Sequence, residues 1–153
     1  MQHKKKIIIS ANSAWNIVNF RKGIVLKFID NGFEVVIVST MDEHVSRLYE
    51  FGCQHININI DSKGMNPIND LYLIFQYLKI FNKIKPNIIL TYTVKPNIYG
   101  SIAASFYSIP VVNNISGLGT AFIKGGLLGK IVSFLYKVSL KKSKCVFFQN
   151  NDD

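Results

Sequence analysis

One short segment of the sequence brings together a hydroxyl, an ammonium group and an amide. Thr93, Lys95 and Asn97 lie in residues 91–97, which leave a predicted strand and enter a predicted helix at Pro96. Lys95 therefore stands beside the free backbone N–H groups of a helix start, where anions are favoured. The segment predicts a site for an anionic or hydroxyl-bearing ligand. The alternative is a helix begun by proline, with a lysine that meets only water.

Two further segments could line the same site. Gly117 and Gly119 belong to residues 116–120, SGLGT, which follow the next predicted strand and offer small side chains and accessible backbone amides. Arg21 follows the start of the first predicted helix, from which its guanidinium could face the same cleft. The carboxyl ends of parallel strands meet at one edge of a sheet, so we expect these segments there. An ordinary flexible loop and a solvated arginine are the alternatives.

Familiar nucleotide-binding and hydrolase motifs are absent from the sequence. Residues 10–15, the first turn from strand to helix, contain no glycine, although a dinucleotide site needs glycine where the backbone approaches the pyrophosphate. Residues 117–119 begin such a fingerprint, but Phe122 occupies its third glycine position. Neither a GxxxxGK[ST] run nor a GxSxG elbow occurs. NAD-, FAD- and P-loop-dependent chemistry is therefore disfavoured, and no catalytic residue can be assigned.

Histidines and cysteines do not form a metal-binding pattern. The three histidines are scattered, and Cys53 and Cys145 lie far apart in apolar runs, outside any CxxC or Cys/His cluster. We therefore expect no metal and no resident cofactor. Both thiols are predicted to be reduced and buried.

Positive charge is concentrated in the second half of the chain. The formal net charge is +9, and residues 71–151 contain ten lysines but not one Asp or Glu. Such a segment attracts phosphates, acidic lipid head groups or nucleic acid. The alternative is a solvated basic face that keeps the protein in solution.

The last predicted helix is basic and amphipathic. Lys130, Ser133, Lys137 and Lys141 recur at helical spacing along one stripe, and apolar residues fill most of the remaining surface. An apolar arc this wide predicts packing on a sheet together with contact to an anionic bilayer surface. The alternative is a helix that only covers the sheet and keeps its lysine edge in water.

Strand and helix patterns alternate along the whole chain, as in one domain of 153 residues. This order predicts an α/β fold: a Rossmann-like, doubly wound parallel sheet of about six strands with helices on both faces. We predict a loop at residues 11–16. Strands are predicted at residues 5–10, 33–39, 54–60, 87–91, 110–115 and 144–148, and helices at 17–31, 42–51, from the turn at 63–67 to about 84, at 97–107 and at 127–141.

A family resemblance rests on particular runs of sequence. Residues 92–101, YTVKPNIYGS, followed by residues 109–119, IPVVNNISGLG, are similar to the N-terminal domain of family 4 retaining glycosyltransferases. The similar group builds capsule, O-antigen and other lipid-linked bacterial glycans. Trp15 with NFR at residues 19–21, KGMNP at 63–67 and VFFQN at 146–150 match the same pattern in the same order. The resemblance covers essentially the whole chain, and the long block is its specific part.

The resemblance implies one half of a two-domain GT-B fold with the active site between two Rossmann-like domains. The half similar to this chain binds the acceptor, often a sugar on undecaprenyl diphosphate, and the other half holds the nucleotide sugar. Residues 1–153 have no counterpart of that donor-binding C-terminal half, so the chain is expected to be truncated. Many members carry a His where this chain has Tyr92, so no catalytic role is carried over. By resemblance, the acceptor side of the cleft is lined by Thr93, Lys95, Asn97, Gly117, Gly119 and Arg21.

These observations predict the acceptor-binding half of a retaining glycosyltransferase, which transfers sugar from a nucleotide sugar to a lipid-linked glycan in surface polysaccharide synthesis. Lys130, Lys137 and Lys141 are expected to contact the membrane or the lipid diphosphate. The alternative is a non-catalytic membrane-docking module that recruits a separate donor-binding chain. Nucleic acid is not an expected partner, because no recognised motif occurs. No apolar run reaches the roughly 18 residues of a spanning helix, so we expect a cytoplasmic protein, peripheral on the inner face of the membrane.

Overall fold

Six parallel strands form a single sheet at the centre of the molecule, in the order β3-β2-β1-β4-β5-β6. The computed structural model describes residues 4–62, 64, 66–117 and 126–149. The strands are β1 (Lys6–Ser13), β2 (Glu34–Thr40), β3 (Gln54–Asn57), β4 (Ile88–Tyr92), β5 (Val111–Ile115) and β6 (Cys145–Phe148). The helices are α1 (Ala14–Phe20), α2 (Lys22–Asp30), α3 (Val45–Glu50), α4 (Pro67–Ile84), α5 (Ser101–Phe106) and α6 (Gly126–Leu140), and a π-helical turn, Pro96–Gly100, leads into α5.

Each face of the sheet carries its own hydrophobic core. On the face that we call the first, Ile7, Ile9 and Ile37 pack with buried residues of α1, α2 and α3. On the second face, Ile8 and Ile89 pack with α4, the π-helical turn, α5 and α6. Continuous β-branched runs of this kind are typical of strands that are buried on both sides. The predicted fold class is confirmed.

The strand order changes direction between β1 and β4. The chain runs outward from β1 through β2 to β3, returns through α4, and then runs outward in the other direction from β4 through β5 to β6. In open parallel sheets, the crevice at the carboxyl ends of the strands beside such a switch point is where ligands bind. The ends of β1, β4 and β5 therefore define the region of the candidate site.

The predicted loop at residues 11–16 was wrong. β1 continues to Ser13, although its register shifts between Ser10 and Ser13. The Ser13 side chain then accepts a hydrogen bond from the backbone N–H of Asn16 and caps α1, so strand and helix follow each other directly. The single helix predicted over residues 17–31 is two helices that meet at Arg21.

The prediction that both thiols are buried holds only for Cys53. Cys53 lies in the core of the first face, whereas Cys145 is exposed. Val146 packs against the core of the second face, so its neighbours Cys145 and Phe147 point to the first face. Phe148 is exposed too, although it shares the face of Val146, so the apolar composition of this edge strand does not make its residues buried.

Candidate functional site

The centre of the candidate site is the backbone directly after β4. Thr93 has a φ of 66°, a left-handed conformation that is uncommon and strained for a β-branched residue. Its carbonyl accepts a hydrogen bond of 3.1 Å from the N–H of Asn97, which ties the loop to the π-helical turn. The Thr93 hydroxyl oxygen is buried and has no hydrogen-bond partner within the described part of the chain. Strain and an unpartnered polar atom together mark this position as a functional candidate.

Lys95 forms an ion pair instead of facing solvent. Its Nζ lies 2.6 Å from Oδ1 of Asp70 in the first turns of α4, and the two side chains are only 12% and 16% exposed. Tyr99 donates a second hydrogen bond of 2.8 Å to the other oxygen of Asp70. Burial raises the pKa of Tyr99, and the hydrogen bond to Asp70 and the charge of that carboxylate raise it further. The sequence pointed to Lys95 but did not indicate Asp70, the last acidic residue before the acid-free stretch.

Asn97 is buried, and its side chain forms hydrogen bonds within the protein. It is 1% exposed. Its Oδ1 accepts from Thr91 at 2.6 Å, and its Nδ2 donates to the carbonyl of Asn114 at 3.0 Å. Asn113 extends this network: its amide donates to Thr91 and Ser101 at 2.8 Å and to Oδ1 of Asn97 at 3.1 Å. The structure therefore gives Asn97 a positioning role for the ends of β4 and β5.

Arg21 reaches the carboxyl end of β4 from the junction of α1 and α2. Its guanidinium carbon lies 4.4 Å from the centre of the Tyr92 ring, in a cation–π contact. Burial raises the pKa of Tyr92, and the positive charge of Arg21 opposes that shift. The structure thus brings Arg21 to the same strand end as Thr93.

Asn114 is a further candidate residue, which the sequence analysis did not select. It pairs in register with Tyr92. Val111 and Ile115 belong to the core of the second face, so strand alternation directs the side chain of Asn114 to the first face, where Tyr92 lies. Its Nδ2 is buried and has no hydrogen-bond partner among the described residues. The signal in the sequence was the pair of asparagines that interrupts an apolar strand, VVNNI.

Of the two predicted glycines, only Gly117 falls in the described part of the chain. Its φ of 128° lies in a region that L side chains rarely adopt, and a Cβ atom there would meet open space. Glycine is therefore required for the backbone conformation and not for close packing. Gly119 lies outside the described residues.

The outer surface of α6 combines apolar and basic side chains. Val132, Leu135 and Tyr136 pack toward the sheet, while Leu127, Ile131, Phe134 and Val138 remain exposed. The predicted residues Lys130, Lys137 and Lys141 are exposed as well. By helical periodicity, Lys130 and Lys137 run along one side of the exposed apolar stripe.

A second exposed apolar stripe lies on the first half of α4. Ile68, Leu71, Tyr72 and Phe75 are spaced so that they share one face of the helix, and all are more than half exposed. Asp70, the partner of Lys95, belongs to the same turns. This stripe went unnoticed in the sequence, because the pattern does not show which apolar face of a helix meets the sheet.

The described residues around this edge form a binding surface more readily than a reactive centre. Both carboxylates near it are engaged within the chain: Lys95 and Tyr99 hold Asp70, and Asp42 accepts from the backbone N–H groups of Trp15 and His44. Within residues 4–62, 64, 66–117 and 126–149, no three His, Cys, Asp or Glu side chains group as metal ligands would. In the same ranges, no helix has both the length and the apolar character needed to cross a bilayer.

Comparisons with known proteins agree with this architecture. Residues 6–150 match the model of the family described as glycosyl transferase 4-like. The chain is 27% identical over 143 residues to the N,N'-diacetylbacillosaminyl-diphospho-undecaprenol alpha-1,3-N-acetylgalactosaminyltransferase of Campylobacter jejuni, an alignment that covers 90% of this chain and 38% of that protein.

Solved structures share the fold at low sequence identity. Acinetobacter baumannii MurG superposes with a TM-score of 0.63 and 15% identity, over 97% of this chain and 41% of that one. The UDP-GlcNAc 2-epimerase of Neisseria meningitidis bound to UDP-GlcNAc gives a TM-score of 0.63 and 17% identity, over 98% of this chain and 41% of that one. The chain thus spans about two fifths of the length of these relatives.

Proposed function

The chain belongs to the glycosyl transferase 4-like family, and from this premise we propose that it is the acceptor-binding half of a retaining glycosyltransferase. In this proposal the sugar comes from a nucleotide-sugar donor that is held by a second, donor-binding domain or chain. The acceptor is a lipid-linked glycan used in surface polysaccharide synthesis, of the capsule or O-antigen type. No further cofactor, metal or nucleic acid takes part.

The observation that carries the proposal is the set of unpartnered polar atoms at the carboxyl ends of β4 and β5. Thr93, Asn114 and Arg21 each keep a buried polar atom without a hydrogen bond within the described residues. Protein interiors rarely leave such atoms unpaired, so a ligand that supplies oxygen atoms fits this edge. Asp70 is engaged with Lys95, which supports binding rather than bond cleavage by this half.

The identity of the acceptor is proposed from the relative and from the surface of the chain. The name of the Campylobacter protein describes transfer to a sugar carried on diphospho-undecaprenol. An acceptor of that kind has a diphosphate and a hydrocarbon chain, so it needs cations beside apolar surface. Lys130, Lys137 and Lys141 beside the exposed stripe of α6 supply such a surface, on which the lipid of the acceptor would lie at the membrane. For the same reason we propose that the chain binds the membrane surface, and that this is its cytoplasmic face.

At the acceptor side we retain Thr93, Lys95, Asn97, Gly117, Gly119 and Arg21, with two kinds of role. Thr93, Gly117 and Arg21 have atoms or backbone available to a ligand, and Gly119, which lies outside the described residues, is proposed from the resemblance alone. Lys95 and Asn97 shape the loop from below, because their polar atoms are bonded within the chain. We therefore expect Lys95→Ala to reduce sugar transfer because it disturbs the loop, and not because a contact with the acceptor is lost.

A non-catalytic membrane-docking module is the second candidate function. The exposed stripe of α6 favours it, since Leu127 and Phe134 are 77% and 64% exposed next to lysines. In this case the chain binds an anionic bilayer without any glycan and recruits a donor-binding chain. The two candidates differ in whether a sugar–diphosphate group adds binding beyond that of the lipid surface.

A comparison of two ligands tests the proposed function. The chain is titrated in detergent micelles with a short prenyl diphosphate that carries an N-acetylhexosamine, and separately with a nucleotide sugar, while backbone amide shifts are recorded. We expect the lipid-linked sugar to shift the amides of residues 91–97 and 114–117, and the nucleotide sugar alone to leave residues 91–97 unchanged, although its diphosphate can reach Asn114.

Two controls make the result decisive. A prenyl monophosphate without sugar separates acceptor recognition from insertion of the lipid into the micelle. If the nucleotide sugar binds this edge while the lipid-linked sugar does not, the acceptor-half assignment is wrong. If the prenyl monophosphate causes the same amide shifts as the lipid-linked sugar, the membrane-docking module becomes the better proposal.

A further inference from the structure

Arg21 is a cation without a carboxylate partner in the described part of the chain. The ion pairs there join Lys6 to Glu34 and Lys95 to Asp70, and Nδ1 of His44 lies 3.5 Å from Asp42. The guanidinium of Arg21 makes one hydrogen bond, of 3.2 Å from Nη1 to the carbonyl of Phe20, and its Nε is buried without a partner. A guanidinium has five N–H donors, so most of its capacity for binding oxygen is unused.

The backbone holds Arg21 in this place. Its N–H donates to the carbonyl of Ile17 at 2.9 Å, and its carbonyl accepts from the N–H of Val25 at 3.0 Å. Arg21 thus ends α1 and begins α2 at once, and the break between the two helices turns its side chain over the Tyr92 ring. Tyr92 is only 3% exposed, so the platform under the guanidinium is rigid.

Asn114 supplies a second donor beside the same tyrosine. It is the register partner of Tyr92, on the same face of the sheet, and its Nδ2 has no partner within the described residues. A buried donor left unpaired costs about 1–3 kcal/mol, which a bound acceptor oxygen would recover. Its backbone carbonyl accepts from Asn97, so the hydrogen-bonded network beneath the site fixes the strand at this point.

We propose that Arg21 and Asn114 form a phosphoanion-binding position on the first face of the sheet, beside the switch point between β1 and β4. Every donor named there is fixed by buried groups, and no carboxylate of the described chain competes for them. Lys95, by contrast, already has its charge met by Asp70 on the second face. Among the described residues at this edge, Arg21 is therefore the cation that is available to a ligand.

The source of the phosphoanion rests on the proposed function. It is either the diphosphate of the lipid-linked acceptor or the diphosphate of the nucleotide sugar held across the cleft. Both present the same oxygen atoms to a planar guanidinium and an amide. Competition against the nucleoside diphosphate UDP and against geranyl diphosphate separates the two sources without changing the site.

The first test titrates the chain with inorganic pyrophosphate by calorimetry at low ionic strength. We expect Arg21→Gln to weaken binding about tenfold or more, because a charge-assisted hydrogen bond is removed. Arg47→Gln is the matched control, since Arg47 is exposed on α3 and makes no ion pair among the described residues. If both substitutions weaken pyrophosphate binding equally, the loss comes from the lower net charge of the chain, and the proposal is overturned.

The second test keeps the shape of the site and changes its charge. Asn114→Asp places a carboxylate beside the Tyr92 platform, where it repels pyrophosphate and attracts Arg21. We expect pyrophosphate binding to be lost and the melting temperature to stay the same or rise. Asn31→Asp, an exposed position after α2, is the matched control and should leave binding within about twofold. Retained binding in Asn114→Asp would also overturn the proposal.

These outcomes are independent of the proposed function. Loss of pyrophosphate binding in Arg21→Gln supports the site even when the micelle experiment shows no recognition of a lipid-linked sugar. A chain that recognises the lipid-linked sugar equally well with Gln at position 21, and binds no pyrophosphate, keeps its function and refutes this site.

Discussion

Asp70 determines how much of the Lys95 charge is free to act on a ligand. The two groups lie 2.6 Å apart and are largely buried, so little water screens them. In a double-mutant cycle of Lys95→Met and Asp70→Asn, we expect a coupling of about 1–3 kcal/mol in the free energy of unfolding, as for residues in one bonded network. Urea unfolding of the four proteins measures it.

The exposed pair of Lys6 and Glu34 provides the reference for this cycle. Its atoms lie 3.6 Å apart, with side chains 39% and 28% exposed. The corresponding cycle of Lys6→Met and Glu34→Gln should give about 0–1 kcal/mol, as surface ion pairs usually do. Couplings of the same size in both cycles would show that Lys95 is not held by Asp70, and Lys95 would again compete with Arg21 for anions.

At the scale of single residues, the sequence selected candidate residues without showing how their side chains are bonded. Lys95 stands out beside a helix start, but its partner Asp70 lies on another element, and no local pattern joins them. Asn97 looks like a ligand residue in a loop, yet its amide is bonded inside the protein. Whether a side chain such as that of Asn97 is bonded internally depends on the register of the neighbouring strands, which cannot be predicted from a single sequence.

The element that carries the membrane hypothesis is α6. Its exposed apolar stripe and its row of lysines would lie together on a bilayer, with each lysine adding about 1 kcal/mol against anionic lipid. We expect the triple substitution of Lys130, Lys137 and Lys141 by Gln to weaken binding to vesicles containing phosphatidylglycerol by about a hundredfold. Co-flotation with the vesicles measures the bound fraction.

A triple variant of equal charge controls this experiment. Lys22→Gln, Lys27→Gln and Arg47→Gln remove three positive charges from exposed positions on α2 and α3, the layer that covers the first face. It should bind nearly as well as the unaltered chain. If both triple variants lose binding equally, the attraction comes from total charge and α6 is not the contact.

Most elements follow from local patterns, and the exceptions have identifiable causes. Continuous apolar runs predicted the buried strands, because strands covered on both faces need no polar side. The break at Arg21 was missed, since the apolar spacing of α1 and α2 reads as one helix. The sequence predicted an ordinary helix from residue 97, where the structure has the π-helical turn Pro96–Gly100. Within this turn, the carbonyl of Asn97 accepts a hydrogen bond of 3.3 Å from the side chain of Asn113, a contact with a distant strand that no local pattern shows.

For the molecule as a whole, alternation of strands and helices was enough to predict a doubly wound sheet. The candidate site could be predicted only as an edge of that sheet, because the carboxyl ends of parallel strands must meet there. Which residues are bonded inside the protein and which remain available depends on packing between distant elements. The unpartnered donors of Arg21 and Asn114 are a property of the assembled fold.

The stability of the whole molecule should fall in alkaline solution because of Cys53. Burial raises the pKa of its thiol from an ordinary value of 9.0 to about 11. Between these two values the unfolded chain gives up its proton more readily than the folded one, so the free energy of unfolding falls as pH rises. The contribution is fully present below pH 9 and lost above about pH 11, and it amounts to about 2–3 kcal/mol.

Urea unfolding under reducing conditions at pH 8 and pH 10.5 tests this loss. Burial also raises the pKa of Tyr77 and of Tyr99, whose ionisation acts in the same direction. The measurement is therefore the difference between the unaltered chain and Cys53→Val, in which the tyrosine effects cancel. Cys145→Ala, which removes the exposed thiol, should follow the unaltered chain. A Cys53→Val chain that loses as much stability as the unaltered one would show that the thiol is ionised as readily in the folded protein as in the unfolded chain, and that the core of the first face admits water.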